Sequence, residues 1–487
     1  MKYLFFDKRA LALMRIAVSA VVLLDLGIRL SDLEAFYSNT GATPLPMIFR
    51  YCWNPYFISV HTTSGLWQVQ LLIFLFHFFC AAMLFIGYRT RLFSFLCWFL
   101  LLSLHNRNGL ILQGGDDLLR MVLFWGMFLP WGEKYSVDRL LGRETPELPV
   151  QFVSIAAVAY LLQICYIYTG SALLKGPEWN SEFSAMYYAY SLNQIAYPTT
   201  KLFYHHPEWM KALTCVAWYF ELLVPVLFFI PVKHGAFRTI GVFAIIGFHL
   251  FNSVTLFIGL FPLIGISTAL GILPWTFMNR FDRWTVRMKQ RIAASFLGIA
   301  MLAGKIIRWR KPRETFLPVL LYVKNAALIF LVFFVFDWNF SNLSFINSKL
   351  SDDLRFIGFG LRLDQNWGMF APGVFKDDGW FVLEGVKNDS TKINLLFPDQ
   401  PLSYAKPASV VKMFPNDRWR KYSENYLMAD NAYMRGYFCN YMKRVWNEHH
   451  PDQYIHTLRV IYMGELTLPD YHYSPPEKVV LWECVDE

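Results

Sequence analysis

Nine apolar stretches crowd the first two thirds of this chain, at residues 10–30, 67–87, 92–105, 116–131, 150–170, 212–232, 237–257, 260–277 and 318–338. Most run for about 17–23 residues, long enough as helices to cross a hydrocarbon core of roughly 30 Å. The stretches at 92–105 and 116–131 are short, so their ends carry polar residues into the interface. Overall, 55% of residues are hydrophobic and only 17% are charged, well below the soluble average of about 25%. The first apolar run starts with charges and lacks a small-residue cleavage site, so no cleavable signal peptide is expected.

These features predict an all-α polytopic membrane bundle of nine transmembrane helices followed by a small α+β extracytoplasmic domain. The chain divides into the bundle over 1–280, a basic cytoplasmic interfacial segment over 281–315, a last transmembrane helix over 316–340 and the terminal domain over 341–487. In that domain GWFVLEGV, TKINLLF and HTLRVIYMGEL alternate as strands do, and 416–447 reads as one or two amphipathic helices. The loops 31–66 and 172–210 are long and aromatic and fall on one face, which places any chemistry there.

Basic residues set the orientation. One set of alternate loops holds Lys8 and Arg9, Arg89 and Arg91, Lys134, Arg139 and Arg143, Lys233 and Arg238, and the cation-rich run from Arg280 to Arg313. The opposite set holds few, among them Arg50, Arg107, Lys175 and Lys201. The N-terminus is therefore expected in the cytoplasm and the C-terminal domain outside. The net charge of +9 is a topology signal, and no nucleic-acid partner is expected, because the cations lie on one membrane face. The short apolar run 292–304 suits a helix lying on the inner leaflet. Oligomeric state is not legible.

Seven cysteines fit no metal spacing, and no metal site is expected. Cys80, Cys97, Cys165 and Cys215 sit in helices as small core residues. Cys52, Cys439 and Cys484 fall in external segments, where disulfides persist; one bridge is expected among these three, and Cys52 to Cys439 or Cys484 is a possible pairing.

Charges inside spans cost roughly 2.5–3.5 kcal/mol each at mid-bilayer, so each asks for an explanation. Arg15, Asp25 and Arg29 lie in the first span; Asp25 and Arg29 are four apart and can pair, forming an internal ion pair that ties helices together. Asp116, Asp117 and Arg120 open the fourth span after Gly114-Gly115. There the carboxylates suit a helix N-terminus, and Arg120, four residues after Asp116, suits a mutual pair. Glu221 and His249 lie deeper, in the sixth and seventh spans, where a lone histidine is commonly a satisfied core residue. Lys175 follows Gly170, Ser171 and Ala172 and precedes Trp179. It reads either as a snorkelling anchor or as a partly desolvated base or nucleophile.

At these residues the sequence resembles the family with the horizontally transferred transmembrane domain, whose best-known members are the vitamin K-dependent γ-glutamyl carboxylases. The resemblance is carried by RALALMRIAVSAVVLLDL in the first span, GYRTR (Gly87 to Arg91), YSVDRLL (Tyr135 to Leu141), SALLKGPEW (Ser171 to Trp179) and FHLFNSVTLFIGLF (Phe248 to Phe261). It implies a membrane lyase acting on a secreted peptide or protein. Lys175 would be its catalytic base, and Tyr168, Trp179, His249, Asn252, Ser253, Asp116, Asp117 and Arg120 would line the substrate and quinone. It further implies a reduced, vitamin K-like quinone with O2 and CO2 as co-substrates, membrane lipid around the bundle, and a bacterial inner-membrane location. GGDDLLR stands where animal carboxylases carry a histidine-containing segment. LDQNWGMFAPG (Leu363 to Gly373) and DDGW (Asp377 to Trp380) are likewise similar to bacterial rather than animal members. Those departures keep open a maturation factor for a toxin-like secreted peptide, a non-enzymatic membrane protein binding lipid or peptide, and a transporter.

Overall fold

With no water in a bilayer to satisfy backbone groups, an apolar chain of this kind closes its hydrogen bonds within helices. The computed structural model describes residues 5–141, 149–232, 235–286, 318–341, 343, 346 and 351–486. Its bundle helices are α1 (Lys8–Ser31), α2 (Trp67–Ile86), α3 (Thr90–Arg107), α4 (Gly114–Gly126), α5 (Ile155–Leu174), α6 (Pro207–Leu227), α7 (Ala236–Thr255), α8 (Phe261–Ala269), α9 (Trp275–Val286) and α10 (Pro318–Phe340).

Every expected apolar stretch is helical, but the expected count of nine spans is not reached. Among the described residues six helices (α1, α2, α5, α6, α7 and α10) are long and apolar enough to cross a membrane alone. A seventh is present if the pair Phe261–Ile272 and Trp275–Val286, bent by 104°, forms one span. The two short stretches account for the shortfall. α4 has 13 residues, about 20 Å at 1.5 Å per residue, and α3 ends in His105, Asn106 and Arg107. The run 292–304 lies outside the described residues.

Over their most apolar windows α5 is 67% buried and α1 56%, against 17% for α10, so α1 and α5 form the interior and α10 the rim. A two-residue ladder pairs β1 (Phe6–Asp7) with β2 (Gln151–Phe152) just before α1 and α5 begin, and so fixes the two interior helices at one end.

At the other end sits the terminal domain, an antiparallel sheet of β3 (Asp377–Lys387), β4 (Lys392–Asn394), β5 (Ile455–Leu466) and β6 (Glu477–Val485) in the order β4-β3-β5-β6. Two helices, α11 (Asp417–Leu427) and α12 (Met434–His449), complete it. β3 is buried on both faces: Phe381 and Leu383 join the main core, while Trp380 and Val382 pack with Val410 and Phe414. α11 rests on the first long loop, where the Phe36 and Trp419 rings lie 4.5 Å apart.

One bridge is present among the three external cysteines, as expected, but it does not use Cys52. Cys439 of α12 is bonded to Cys484 of β6, and Cys52 is a free thiol whose Sγ lies 3.2 Å from the Tyr433 hydroxyl. Burial pushes the Cys52 thiol up from its ordinary value. The bridge closes within one domain because α12 packs on β6.

Candidate functional site

α5 is capped at its start by Ser154, whose side chain accepts from the Ala157 amide, and ends at Lys175, where the backbone turns extended. Positions 168, 171 and 175 recur at helical spacing, so Tyr168, Ser171 and Lys175 share one face. That face meets α6 and α7. Lys175 Nζ donates to Glu221 Oε2 of α6, and both side chains are buried. The ammonium also sits 4.0 Å from the centroid of the Trp179 ring, a cation–π contact. One turn down, the Ser171 hydroxyl is buried with no hydrogen-bond partner. Below it the Tyr168 hydroxyl lies 2.9 Å from His249 Nε2, and His249 Nδ1 is buried and unpartnered. The imidazole lies against α8 because residue 265 is glycine; a Cβ there would fall 2.1 Å from His249 Nε2.

A strap formed by residues 362–374 packs along an adjoining side of α5 and onto the turn that follows Lys175. Gln163 Nε2 of α5 donates to Gln365 Oε1 at 2.7 Å, and the Trp367 indole donates to the same oxygen at 3.0 Å. The Gly176 amide donates to the Pro372 carbonyl at 2.6 Å, the Trp179 indole to the Phe370 carbonyl at 2.8 Å, and the Val374 amide to Glu178 Oε2 at 2.9 Å. Lys175, between Glu221 and the Trp179 ring, is 6% exposed. It is an enclosed, paired ammonium, not a side chain reaching out of the membrane.

The second polar centre lies where α1, α4 and α11 converge. Arg29 Nε donates to Asp25 Oδ2 at 2.7 Å, and Arg29 Nη2 to Asp116 Oδ1 at 2.7 Å. Arg418, on the first turn of α11, donates through Nη2 to Asp25 Oδ1 at 2.6 Å and to Asp116 Oδ1 at 2.8 Å. Arg29 Nη1 also reaches the Tyr37 hydroxyl at 2.9 Å, and His105 Nε2 lies 3.4 Å from Asp116 Oδ1. Two carboxylates thus face two guanidinium groups with all four side chains buried. Asp25, His105 and Asp116 bring ligand-type atoms within 4.8 Å of one another, but a metal ion would have to displace both arginines.

The residues expected at one site therefore separate into groups. Lys175, Trp179, Tyr168 and His249 come together, with Glu221 as the added member. Asn252 lies half-buried one turn beyond His249, while Ser253 is exposed and bonds only the Leu250 carbonyl of its own helix. Asp116 belongs to the ionic cluster and also caps α4, its Oδ2 accepting the Gln113 amide at 2.8 Å. Two expected pairings are corrected. Arg120 bonds Asp117 at 2.9 Å rather than Asp116, because Asp116 turns toward α1 while Arg120 reaches the Arg362 and Asp364 carbonyls of the strap. Arg15 takes no part in the Asp25–Arg29 pair. It lies about 21 Å along α1 from Arg29 and donates to the Tyr135 carbonyl at 2.6 Å.

Sequence reasoning missed Arg418 and His105 altogether and did not join Glu221 to Lys175. The signal for Arg418 was its place directly after Asn416-Asp417, a helix start that presents its first turn to whatever the domain docks on.

The family model described as HTTM domain matches residues 3–274, more than half of the chain. No curated protein and no solved structure matches it.

Proposed function

We propose, from the premise that this chain belongs to the HTTM domain family, that its Lys175–Glu221 pair is the proton-transfer centre of a membrane enzyme. The chain is an integral membrane protein, with six to seven helices able to span among the described residues. The proposed reaction is quinone-linked carboxylation of glutamate in a secreted peptide or protein. The end that carries the C-terminal domain would be the extracytoplasmic one, as the loop charges imply.

One observation carries this reading: Lys175 is buried, paired with a carboxylate and covered by protein. An interfacial anchor would keep its ammonium in water or among headgroups, which this side chain does not do. A purely structural ion pair is a costly way to join two helices, since each buried ion loses several kcal/mol of hydration. Ionisable residues at such depth are by default functional candidates.

The pair supports base chemistry directly. Moving one proton from Lys175 Nζ to Glu221 Oε2 leaves two neutral groups. Nζ then carries a free lone pair and can accept a proton from an acidic hydroxyl held beside it, while Glu221 holds the proton just received. Trp179 fixes the amine, and the strap excludes water.

A reduced quinone would find hydrogen-bond partners and aromatic rings among these residues. The unpartnered Ser171 hydroxyl and His249 Nδ1 offer hydrogen bonds to ring oxygens, and Trp179, Phe220 and Phe248 line the same face with aromatic rings. When bound, such a quinone with O2 supplies the strong base that lets glutamate lose its γ-proton and take up CO2. Maturation of a secreted peptide by another chemistry would use the same enclosed base.

The experiment is mass spectrometry of secreted peptides from cells co-expressing this chain and a candidate precursor. The proposal expects a CO2 adduct on glutamate that is absent without the chain. Reproducible modification of another kind would move the reading to the alternative chemistry. No modification of any precursor would leave a binding role.

A further inference from the structure

A cavity of about 280 Å³ lies where the C-terminal domain meets the bundle, and it shares no residue with the Lys175 centre. Asp25, Gln113, Asp417 and Arg418 form its polar wall; Leu256 and Leu260 contribute to the apolar one. The polar groups are mostly spoken for. Both oxygens of Asp25 accept from Arg29 and Arg418, and Arg418 is further engaged by Asp116 and the Ile111 carbonyl. Asp417 differs. Its Oδ1 accepts from Arg420 Nε at 2.7 Å, but Oδ2 is buried with no partner on a residue 6% exposed.

Residue 259, with φ of +59°, leaves room for this oxygen. A Cβ there would lie 2.6 Å from Asp417 Oδ2 and 2.8 Å from Gln113 Nε2. Leaving a charged acceptor buried and unbonded costs more than leaving a neutral one, so the cavity asks for a donor.

The sign of the ligand follows from the helix ends. α4 and α11 both begin at the cavity, and helix N-termini ordinarily favour anions. Here both starts already carry an acceptor: Asp116 Oδ2 accepts from the Gln113 amide at 2.8 Å, and Asn416 Oδ1 accepts from the Arg418 amide at 3.0 Å. An anion there would face the Asp417 carboxylate. A cation finds that carboxylate oxygen open. The volume falls just below the usual range of about 300–1,000 Å³ for whole ligands, so the ligand is small, and one open oxygen suits a point donor better than a two-pronged guanidinium.

We infer that this cavity binds a primary ammonium group carried on a short apolar stem, held by Asp417 Oδ2 with its stem against Leu256 and Leu260. The test is calorimetric titration of the purified full chain in detergent with n-butylammonium, and with n-butanol and butyrate as controls. Saturable binding of n-butylammonium alone is expected. Asp417→Asn should weaken it roughly tenfold or more, the worth of a charge-assisted hydrogen bond. Ser253→Phe gives an independent arm: Ser253 is exposed, its hydroxyl bonds only its own helix, and the larger ring would fill the cavity from its wall. It should abolish binding in a folded protein. Butyrate binding as well as n-butylammonium, or affinity unchanged in Ser253→Phe, would overturn the assignment. Neither result bears on Lys175, which lies outside the cavity.

Discussion

Arg418 and Asp116 stand 302 positions apart in the chain and are joined inside the protein, Nη2 to Oδ1 at 2.8 Å. Through this contact the C-terminal domain places a buried guanidinium among the bundle helices. There it balances Asp25 and Asp116, which Arg29 alone would leave with an excess negative charge.

The first prediction concerns that balance. Arg418→Ala should destabilise the docked domain by about 3–5 kcal/mol, because it strands a buried carboxylate. Arg418→Lys should recover only part of this, since a single ammonium cannot reproduce the two-pronged guanidinium geometry. Thermal unfolding in detergent, read together with proteolysis of the terminal domain, measures both. A stable, protease-resistant Arg418→Ala variant would show that the cluster does not hold the domain.

Much of this architecture was legible in the sequence because it is local. Apolar length marked each helix, the four-residue step from Asp25 to Arg29 marked their ion pair, and alternation marked β3 and β5. Asp116 could be read as a helix-start carboxylate from Gly114-Gly115 alone. What could not be read depends on tertiary neighbours. Lys175 and Glu221 are 46 positions apart, and nothing in either local pattern names the other. Arg418 looked like one basic residue on an amphipathic helix. The cysteine pairing depended on β6, whose EKVVLWECV was not recognised as a strand. α3 and α4 do not stand out as lone spans because α4 is short and α3 ends in polar residues.

The second prediction is the disulfide. Non-reducing peptide mapping should recover Cys439 linked to Cys484 and Cys52 as an alkylatable thiol. Replacing the bridge with two alanines should cost the domain roughly 2–4 kcal/mol, typical of closing a loop of this kind. A peptide linking Cys52 to either partner would contradict the arrangement of α12 on β6.

Acid should weaken the sheet through Glu384. Burial pushes its carboxyl up, but hydrogen bonds from Tyr404, Lys392 and Arg459 outweigh that effect and hold it below the ordinary value. A carboxyl depressed on folding contributes stability above its unfolded pKa and loses that contribution as pH falls through the folded one. Hydrogen-exchange protection across β3 and β5, taken relative to the intrinsic rate at each pH, should therefore fall more in wild type than in Glu384→Gln as pH drops below the ordinary glutamate range. Parallel acid profiles would remove Glu384 from this role.

Enclosure of Lys175 predicts its reactivity. An amine-selective reagent should label Lys211, whose side chain is 60% exposed, well before Lys175. Trp367→Ala should open the strap, at a packing cost of about 3–5 kcal/mol, and raise labelling of Lys175 without changing that of Lys211. Equal labelling of both lysines in wild type would mean the strap does not seal the site.

The most direct test of the proposed role is turnover in Lys175→Arg, scored as modification of a co-expressed secreted peptide and normalised to membrane abundance. Arginine keeps the charge, the pairing with Glu221 and the contact with Trp179, but with a pKa above about 12 it cannot give up its proton. The account predicts normal abundance and thermal stability with modification lost, and the same loss in Glu221→Gln. Wild-type turnover in Lys175→Arg would contradict it and return Lys175 to a structural role.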